Sequence, residues 1–244
     1  MLFRSPNFLT CLNLLCGSLA NIFIFKWNVP VFSILIGCSL IFDFLDGFAA
    51  RKLGASSPIG KELDSLADMV TFGLAPGMIL CGLCFQSVPV SVSEPSLLNN
   101  IIGYFPLIVT IASALRLATF NVDNRQSGYF IGVPTPAITI LVVGIALITL
   151  HDRFNVTPVI LNAGFICGLS MIIAYLLNSN LRMIAFKFNT FSFKENQPQF
   201  FLMASSILSI VIFGVAGISL TVILYIVTSL RFQSGFNSNE PEKK

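Results

Sequence analysis

Charge is what this sequence has least of. Only 10% of its 244 residues are Asp, Glu, Lys or Arg, whereas a soluble domain of this size carries about 25%. The stretch from Phe200 to Leu230 has none, and the stretch 85–98 has no Lys or Arg. Histidine is reduced to His151. With 55% hydrophobic residues and a mean hydropathy of +0.85, the solvent for most of the chain is lipid, and a soluble globular class is excluded. The first residues, MLFRSPNFLT, lack a charged segment followed by a short apolar run and a small-residue cleavage site, so the first apolar segment is expected to stay as an anchor. The six cysteines fall in or beside apolar runs, and the Cys81–Cys84 pair has no partner pair. They read as small core residues rather than as a disulfide frame or zinc site. Nothing calls for a nucleic-acid partner.

What is there is a series of apolar runs long enough to cross a bilayer, for which about 20 residues suffice. Spans are expected near 8–25, 29–51, 59–84, 99–121, 132–150, 157–177, 199–214 and 216–231, with the last two divided at Gly214 and Gly217. Lys and Arg concentrate on the cytoplasmic side of membrane proteins. With the N-terminus inside, eight spans put twelve of the 14 basic residues inside and leave only Lys26 and Arg153 outside. The expected fold is therefore an all-α polytopic membrane bundle of about eight helices, a six-helix core plus a C-terminal hairpin, with both ends cytoplasmic. Residues 1–232 form one integral-membrane domain, and 233–244 read as a polar, disordered cytoplasmic tail.

Carboxylates inside apolar helices are expensive and mark function by default. Asp43 and Asp46 are spaced i, i+3, and Asp64 and Asp68 i, i+4, so each pair shares a helix face. Pro58 pushes Ser57 out of helical geometry and suits the first turn of the next helix. Counted from that turn, Asp46 and Asp64 each lie about 7.5 Å along their helices, so antiparallel helices would set all four acids at similar depth. Such an oxygen-rich cluster cannot ionise without counter-charge and suits Mg²⁺ or Mn²⁺ rather than zinc. Gly47 and Gly60 leave room for close approach, and Arg51 supplies a cation for phosphate. Together these describe a pyrophosphate site.

The pattern Asp43-x-x-Asp46-Gly47-x-x-Ala50-Arg51, eight residues, Gly60-x-x-x-Asp64-x-x-x-Asp68 resembles the signature of the CDP-alcohol phosphotransferases, with each of its eight fixed positions filled. Pro6-Asn7-Phe8-Leu9-Thr10, Asn13 to Gly17, Leu63 to Gly77, Arg116 to Asn121 and Phe130 to Ala137 are similar to its phosphatidylserine synthase branch. The likeness covers most of residues 6–137; beyond them the chain matches only as apolar spans.

The resemblance implies two divalent ions held by Asp43, Asp46, Asp64 and Asp68, with Asp68 as general base. The substrates would be CDP-diacylglycerol and L-serine, the products phosphatidylserine and CMP. Gly47, Ala50, Arg51 and Gly60, with Thr10 and Asn13, would receive the CDP-lipid. Arg116, Asn121, Arg125 and Thr135 would read the acceptor or a lipid phosphate; Arg116 and Arg125 also read as ordinary positive-inside anchors. A homodimer, surrounding membrane lipids and a bacterial-type cytoplasmic (plasma) membrane with the site facing the cytoplasm complete the expectation. The same chemistry on glycerol 3-phosphate or an inositol acceptor is the nearest alternative. A divalent-cation transporter is a remote one, because it explains the acids but not the glycines, Ala50 and Arg51 at fixed spacing.

Overall fold

A computed structural model describes residues 5–54, 57–87, 97–123, 129–184 and 197–231. Arg125 and the tail 233–244 lie outside the described residues. The chain is built almost wholly of helices. The first two are α1 (Ser5–Phe25) and α2 (Val29–Lys52). Asn28 caps α2, its side chain accepting from the Val31 amide at 3.2 Å.

The third helical run is continuous over Pro58–Ser87. It comprises α3 (Pro58–Asp68), a π-helical segment (Met69–Leu74) and α4 (Ala75–Ser87). Ser57 is extended (φ −139°, ψ 153°) ahead of Pro58, and its hydroxyl accepts from the Gly60 amide at 3.0 Å. That is the boundary the Ser-Pro pair predicts. A fourth run joins α5 (Leu97–Tyr104), a 3₁₀ turn and α6 (Ile108–Val122). The remaining helices are α7 (Thr135–Leu150), α8 (Thr157–Ile160), α9 (Ala163–Leu177), α10 (Gln197–Phe213) and α11 (Val215–Arg231).

Among the described residues four runs, Pro6–Phe25, Val29–Lys52, Pro58–Ser87 and Leu97–Val122, are long and apolar enough to cross a membrane. Four shorter apolar helices follow. At 1.5 Å per residue the Pro58 run is about 45 Å long, more than a hydrocarbon core of about 30 Å. Its first turns, with exposed Lys61 and Glu62, therefore reach past the apolar layer.

Two features depart from the expected all-α chain. β1 (Tyr129–Ile131) pairs antiparallel with β2 (Arg182–Ile184), with Phe130 opposite Met183. The expected span 132–150 accordingly starts only at Thr135, after an extended Pro134. The expected span 157–177 is also broken: α8 stops at Ile160, and Asn162 caps a fresh start, its side chain accepting from the Phe165 amide at 3.1 Å. The last two helices turn at Gly214, whose φ of +59° glycine alone adopts freely.

The core lies around α4 and α7. Ile79, Leu80, Leu83 and Cys84 of α4 and Ile138, Val142 and Ala146 of α7 are fully buried. α4 packs against α1, α6, α7 and α9, as a helix apolar on all sides must. Outward faces stay apolar: Ile34, Ile41, Ile111, Met171 and Val211 are exposed. An apolar exterior over an apolar core is what a helical bundle in a membrane presents.

Candidate active site

α1 packs along both α2 and α3. It also packs on the π segment that continues α3, where Gly17 permits the close approach, since a β-carbon there would collide with the Thr71 side chain. The α1 wedge leaves α2 and α3 facing each other across a cleft of about 230 Å³. Its walls come from Pro6, Asn7 and Thr10 of α1, from Asp46, Gly47, Ala50 and Arg51 of α2, and from Ser57, Gly60, Lys61 and Asp64 at the start of α3. Both glycines stand at close quarters. A β-carbon on Gly60 would lie 3.1 Å from the Asn7 Oδ1 and Ser57 Oγ, and one on Gly47 would lie 3.4 Å from the Arg51 guanidinium.

Beside the cleft the acids converge. Asp43, Asp64 and Asp68 each offer a carboxylate oxygen, all within 4.8 Å of one another. Asp46 is outside that trio but shares the cleft wall with Asp64. Asp46 Oδ2 and Asp64 Oδ1 are buried and have no hydrogen-bond partner among the described residues. A buried carboxylate oxygen without a donor is costly, and a hard divalent cation is the partner that oxygen sets of this kind accept. The residues therefore fit a metal.

Around the trio, two sequence expectations find different surroundings. Asn13, expected on the CDP-lipid, is fully buried and donates from Nδ2 to Asp68 Oδ1 at 3.3 Å. Its carbonyl accepts from Ser39 and Thr71, at 3.2 and 3.4 Å. Thr10 is on the cleft wall as expected, its hydroxyl donating to Pro6 O at 3.1 Å.

Of the expected acceptor residues, Arg116 is buried with Nε unpartnered among the described residues. Its guanidinium carbon lies 5.9 Å from the centre of the Phe120 ring. Thr135 is buried, with its hydroxyl likewise unpartnered. One turn on, Thr139 donates to the Phe72 carbonyl at 3.2 Å, which sets α7 beside the π segment. Asn121 sits apart, tying α6 to α3: its Nδ2 donates to Ser65 Oγ and its carbonyl accepts from Lys61 Nζ, both at 2.8 Å. His151 is exposed at the C-terminal end of α7, the opposite end of that helix from Thr135.

Sequence reasoning passed over Asn7, Ser57 and Lys61 on the cleft wall. Asn7 had a usable signal, lying i−3 from Thr10 on the same helix face.

A membrane-type helical bundle with an acid-lined, metal-ready cleft between its second and third helical runs defines a class of lipid enzymes, and sequence comparison narrows it. A family model described as CDP-alcohol phosphatidyltransferase matches residues 3–177, and the chain belongs to that family. It is 36% identical over 183 residues, 75% of this chain and 90% of the relative, to a Bacillus subtilis protein named CDP-diacylglycerol–serine O-phosphatidyltransferase. Relatives of the same name include one from Helicobacter pylori strain J99, 31% identical over 191 residues (76% of this chain, 74% of the relative). Another, from Methanocaldococcus jannaschii, is 39% identical over 138 residues (57% and 58%).

Proposed function

We propose that this chain transfers the phosphatidyl group of CDP-diacylglycerol to L-serine, giving phosphatidylserine and CMP. The observation that carries the reading is the meeting of Asp43, Asp64 and Asp68 oxygens within 4.8 Å beside a cleft lined by the family's own small and basic residues. The name shared by the relatives supports serine as the acceptor.

The roles follow from position. Gly47, Ala50 and Gly60 keep the cleft wall thin where the cytidine enters, while Asn7, Thr10 and Ser57 offer it hydrogen bonds. Arg51 and Lys61 lie at the cleft rim as cations for pyrophosphate. Asp43, Asp46, Asp64 and Asp68 are the residues that would hold Mg²⁺ or Mn²⁺, two ions by family resemblance. Bound there, the ions would neutralise the charge that moves between attacking and leaving oxygens. Asp68 takes the proton of the serine hydroxyl. The freed oxygen attacks the phosphorus bearing diacylglycerol, and the bond from that phosphorus to CMP breaks with its electron pair leaving on CMP. Asn13 holds the Asp68 carboxylate in place for this step. Arg116 and Thr135, buried with unpartnered polar atoms, receive the serine carboxylate. Asn121 braces the segment, and Arg125 belongs to the same reading on sequence grounds alone.

The same proposal covers the setting: eight spans, both ends inside, residues 1–232 as the catalytic domain, and a cytoplasm-facing site in a plasma membrane. The segregation of basic residues supports that orientation, and family resemblance alone supports a homodimer. The test is CMP release by purified protein from CDP-diacylglycerol with Mn²⁺ or Mg²⁺, offering L-serine, glycerol 3-phosphate and inositol separately. Release that needs both metal and serine is expected. Release with another acceptor would overturn the serine assignment, and metal-independent release would overturn the role of the four aspartates.

A further inference from the structure

Arg116 and Thr135 stand on different helices, α6 and α7, and one short stretch of chain holds both. It is residues 176–181, the end of α9 and its exit towards β2. Asn178 caps α9 at its C-terminus. Its Nδ2 donates to the Ala112 carbonyl of α6 at 3.0 Å and to Ala174 O of its own helix at 3.3 Å. Ala112 lies one turn before Arg116, and its carbonyl is the one that the α-helical pattern pairs with the Arg116 amide. The bond from Asn178 therefore acts on the turn of α6 that carries Arg116.

The same stretch seats the start of α7. The Val133 amide donates to Leu176 O at 3.1 Å and the Gly132 amide to Leu181 O at 2.9 Å. Gly132 has a φ of +75°, and a β-carbon there would collide with the Leu177 carbonyl oxygen. Only glycine lets this backbone lie so close against the end of α9. Ser179 Oγ donates to Leu176 O at 2.8 Å and closes the turn. Pro134 and Thr135 follow directly and begin α7. The strand beyond is pinned as well: Tyr225 Oη donates to the Ile184 carbonyl at 3.0 Å, and Ser229 Oγ accepts from the Ile184 amide at 3.3 Å. Asn178 itself is exposed. Cutting it back opens no core cavity, so its contribution is the hydrogen bond rather than packing.

We propose that Asn178 is a positioning residue for the acceptor subsite: by tying α6 at Ala112 to the turn that seats Gly132 and Val133, it sets the spacing between Arg116 and Thr135. This rests on Arg116 and Thr135 receiving the acceptor carboxylate. A ligand held between two helices gains when their spacing is fixed before it arrives. One neutral hydrogen bond corresponds to about a fivefold change in affinity.

The experiment uses the full chain in lipid nanodiscs, with Asn178→Ala, Thr135→Val, the double variant and Ser170→Ala, and measures KM for serine, KM for CDP-diacylglycerol and kcat. Asn178→Ala is expected to raise the serine KM about fivefold and leave the other two constants within about twofold. Thr135→Val should raise the serine KM by itself. The double variant should fall short of the product of the two effects, because the spacing matters less once one of its ends is gone. Ser170 is buried on the same helix, and its hydroxyl donates to Ile166 O at 2.7 Å within that helix. Ser170→Ala should leave all three constants near their starting values. If Asn178→Ala does not fold, Asn178→Leu, of similar size and without a donor, carries the same expectation. An unchanged serine KM in Asn178→Ala beside a raised one in Thr135→Val would overturn the positioning role and keep the subsite. Effects that multiply in the double variant, or a Ser170→Ala effect as large as that of Asn178→Ala, would reduce Asn178 to a helix cap. An unchanged serine KM in Thr135→Val would remove the two-helix subsite and the positioning role with it.

Discussion

The acid-lined cleft and helix α11 are both polar features inside an apolar protein, and they treat their polar atoms in opposite ways. On α11, Ser219 donates to Leu141 O at 3.0 Å, Thr221 to Gly217 O at 2.9 Å and Tyr225 to Ile184 O at 3.0 Å, and Ser229 accepts from Ile184 N. Around the cleft, Asn13 Oδ1, Asp46 Oδ2, Asp64 Oδ1, Arg116 Nε and Thr135 Oγ1 are buried with no partner among the described residues. A buried polar atom left unpaired costs roughly 1–3 kcal/mol, so a protein keeps several together only where something else arrives to pair them. Single unpaired atoms also occur elsewhere, at Asn21, Thr157 and Gln199, so it is their clustering around the acids that marks the place of a ligand.

That contrast predicts a graded set of outcomes. Asp68→Asn removes the proposed base and should lower turnover roughly 10³-fold, with CDP-lipid binding retained in a direct binding assay. Full turnover would strike out Asp68 as base. Asp43→Asn should raise the Mn²⁺ concentration for half-maximal activity at least about tenfold, since even partners of metal ligands are worth that much. An unchanged metal titration would put Asp43 outside the metal set. Asn13→Ala removes the amide that donates to Asp68 and should lower kcat about tenfold while leaving both KM values alone. A rise in the CDP-lipid KM instead would return Asn13 to the lipid wall. At the far end of the scale, Ser219→Ala on α11 should cost about 0.6 kcal/mol of stability, the usual size of a hydrogen bond between membrane helices, with no kinetic change. A kinetic effect as large as that of Asn13→Ala would break the contrast between the two regions.

The sequence carried the cleft well, because its signals are local. The spacing of Asp43 with Asp46 and of Asp64 with Asp68 fixes helix faces, and the Ser57-Pro58 pair fixes where the second face begins. Gly214 announced its turn in the same local way. What escaped depends on distant partners. β1 and β2 are three residues each, about fifty residues apart in sequence, and neither run alone outweighs the apolar helices around it. The wedge role of α1 is invisible in its pattern, because Gly17 gains meaning only from Thr71 across the interface. Asn13 looked like a residue for the lipid because its side chain is polar; only the packing of α1 on the π segment turns it towards Asp68. Tyr225 sits in an uncharged apolar stretch with no motif around it, and the Ile184 carbonyl it donates to lies 41 positions away.

The π-helical segment Met69–Leu74 begins on the residue after Asp68. A π turn holds more residues than an α turn, in effect one inserted residue absorbed without breaking the helix. Each residue of an α-helix advances the azimuth by about 100°. The segment therefore works as a phase shifter between two faces of one continuous rod, with acids below it and the buried Ile79, Leu80 and Leu83 above it. Deleting a single residue there would leave an unbroken helix with one of its two faces pointing the wrong way: either the core packs and the carboxylates scatter, or the carboxylates meet and the core does not.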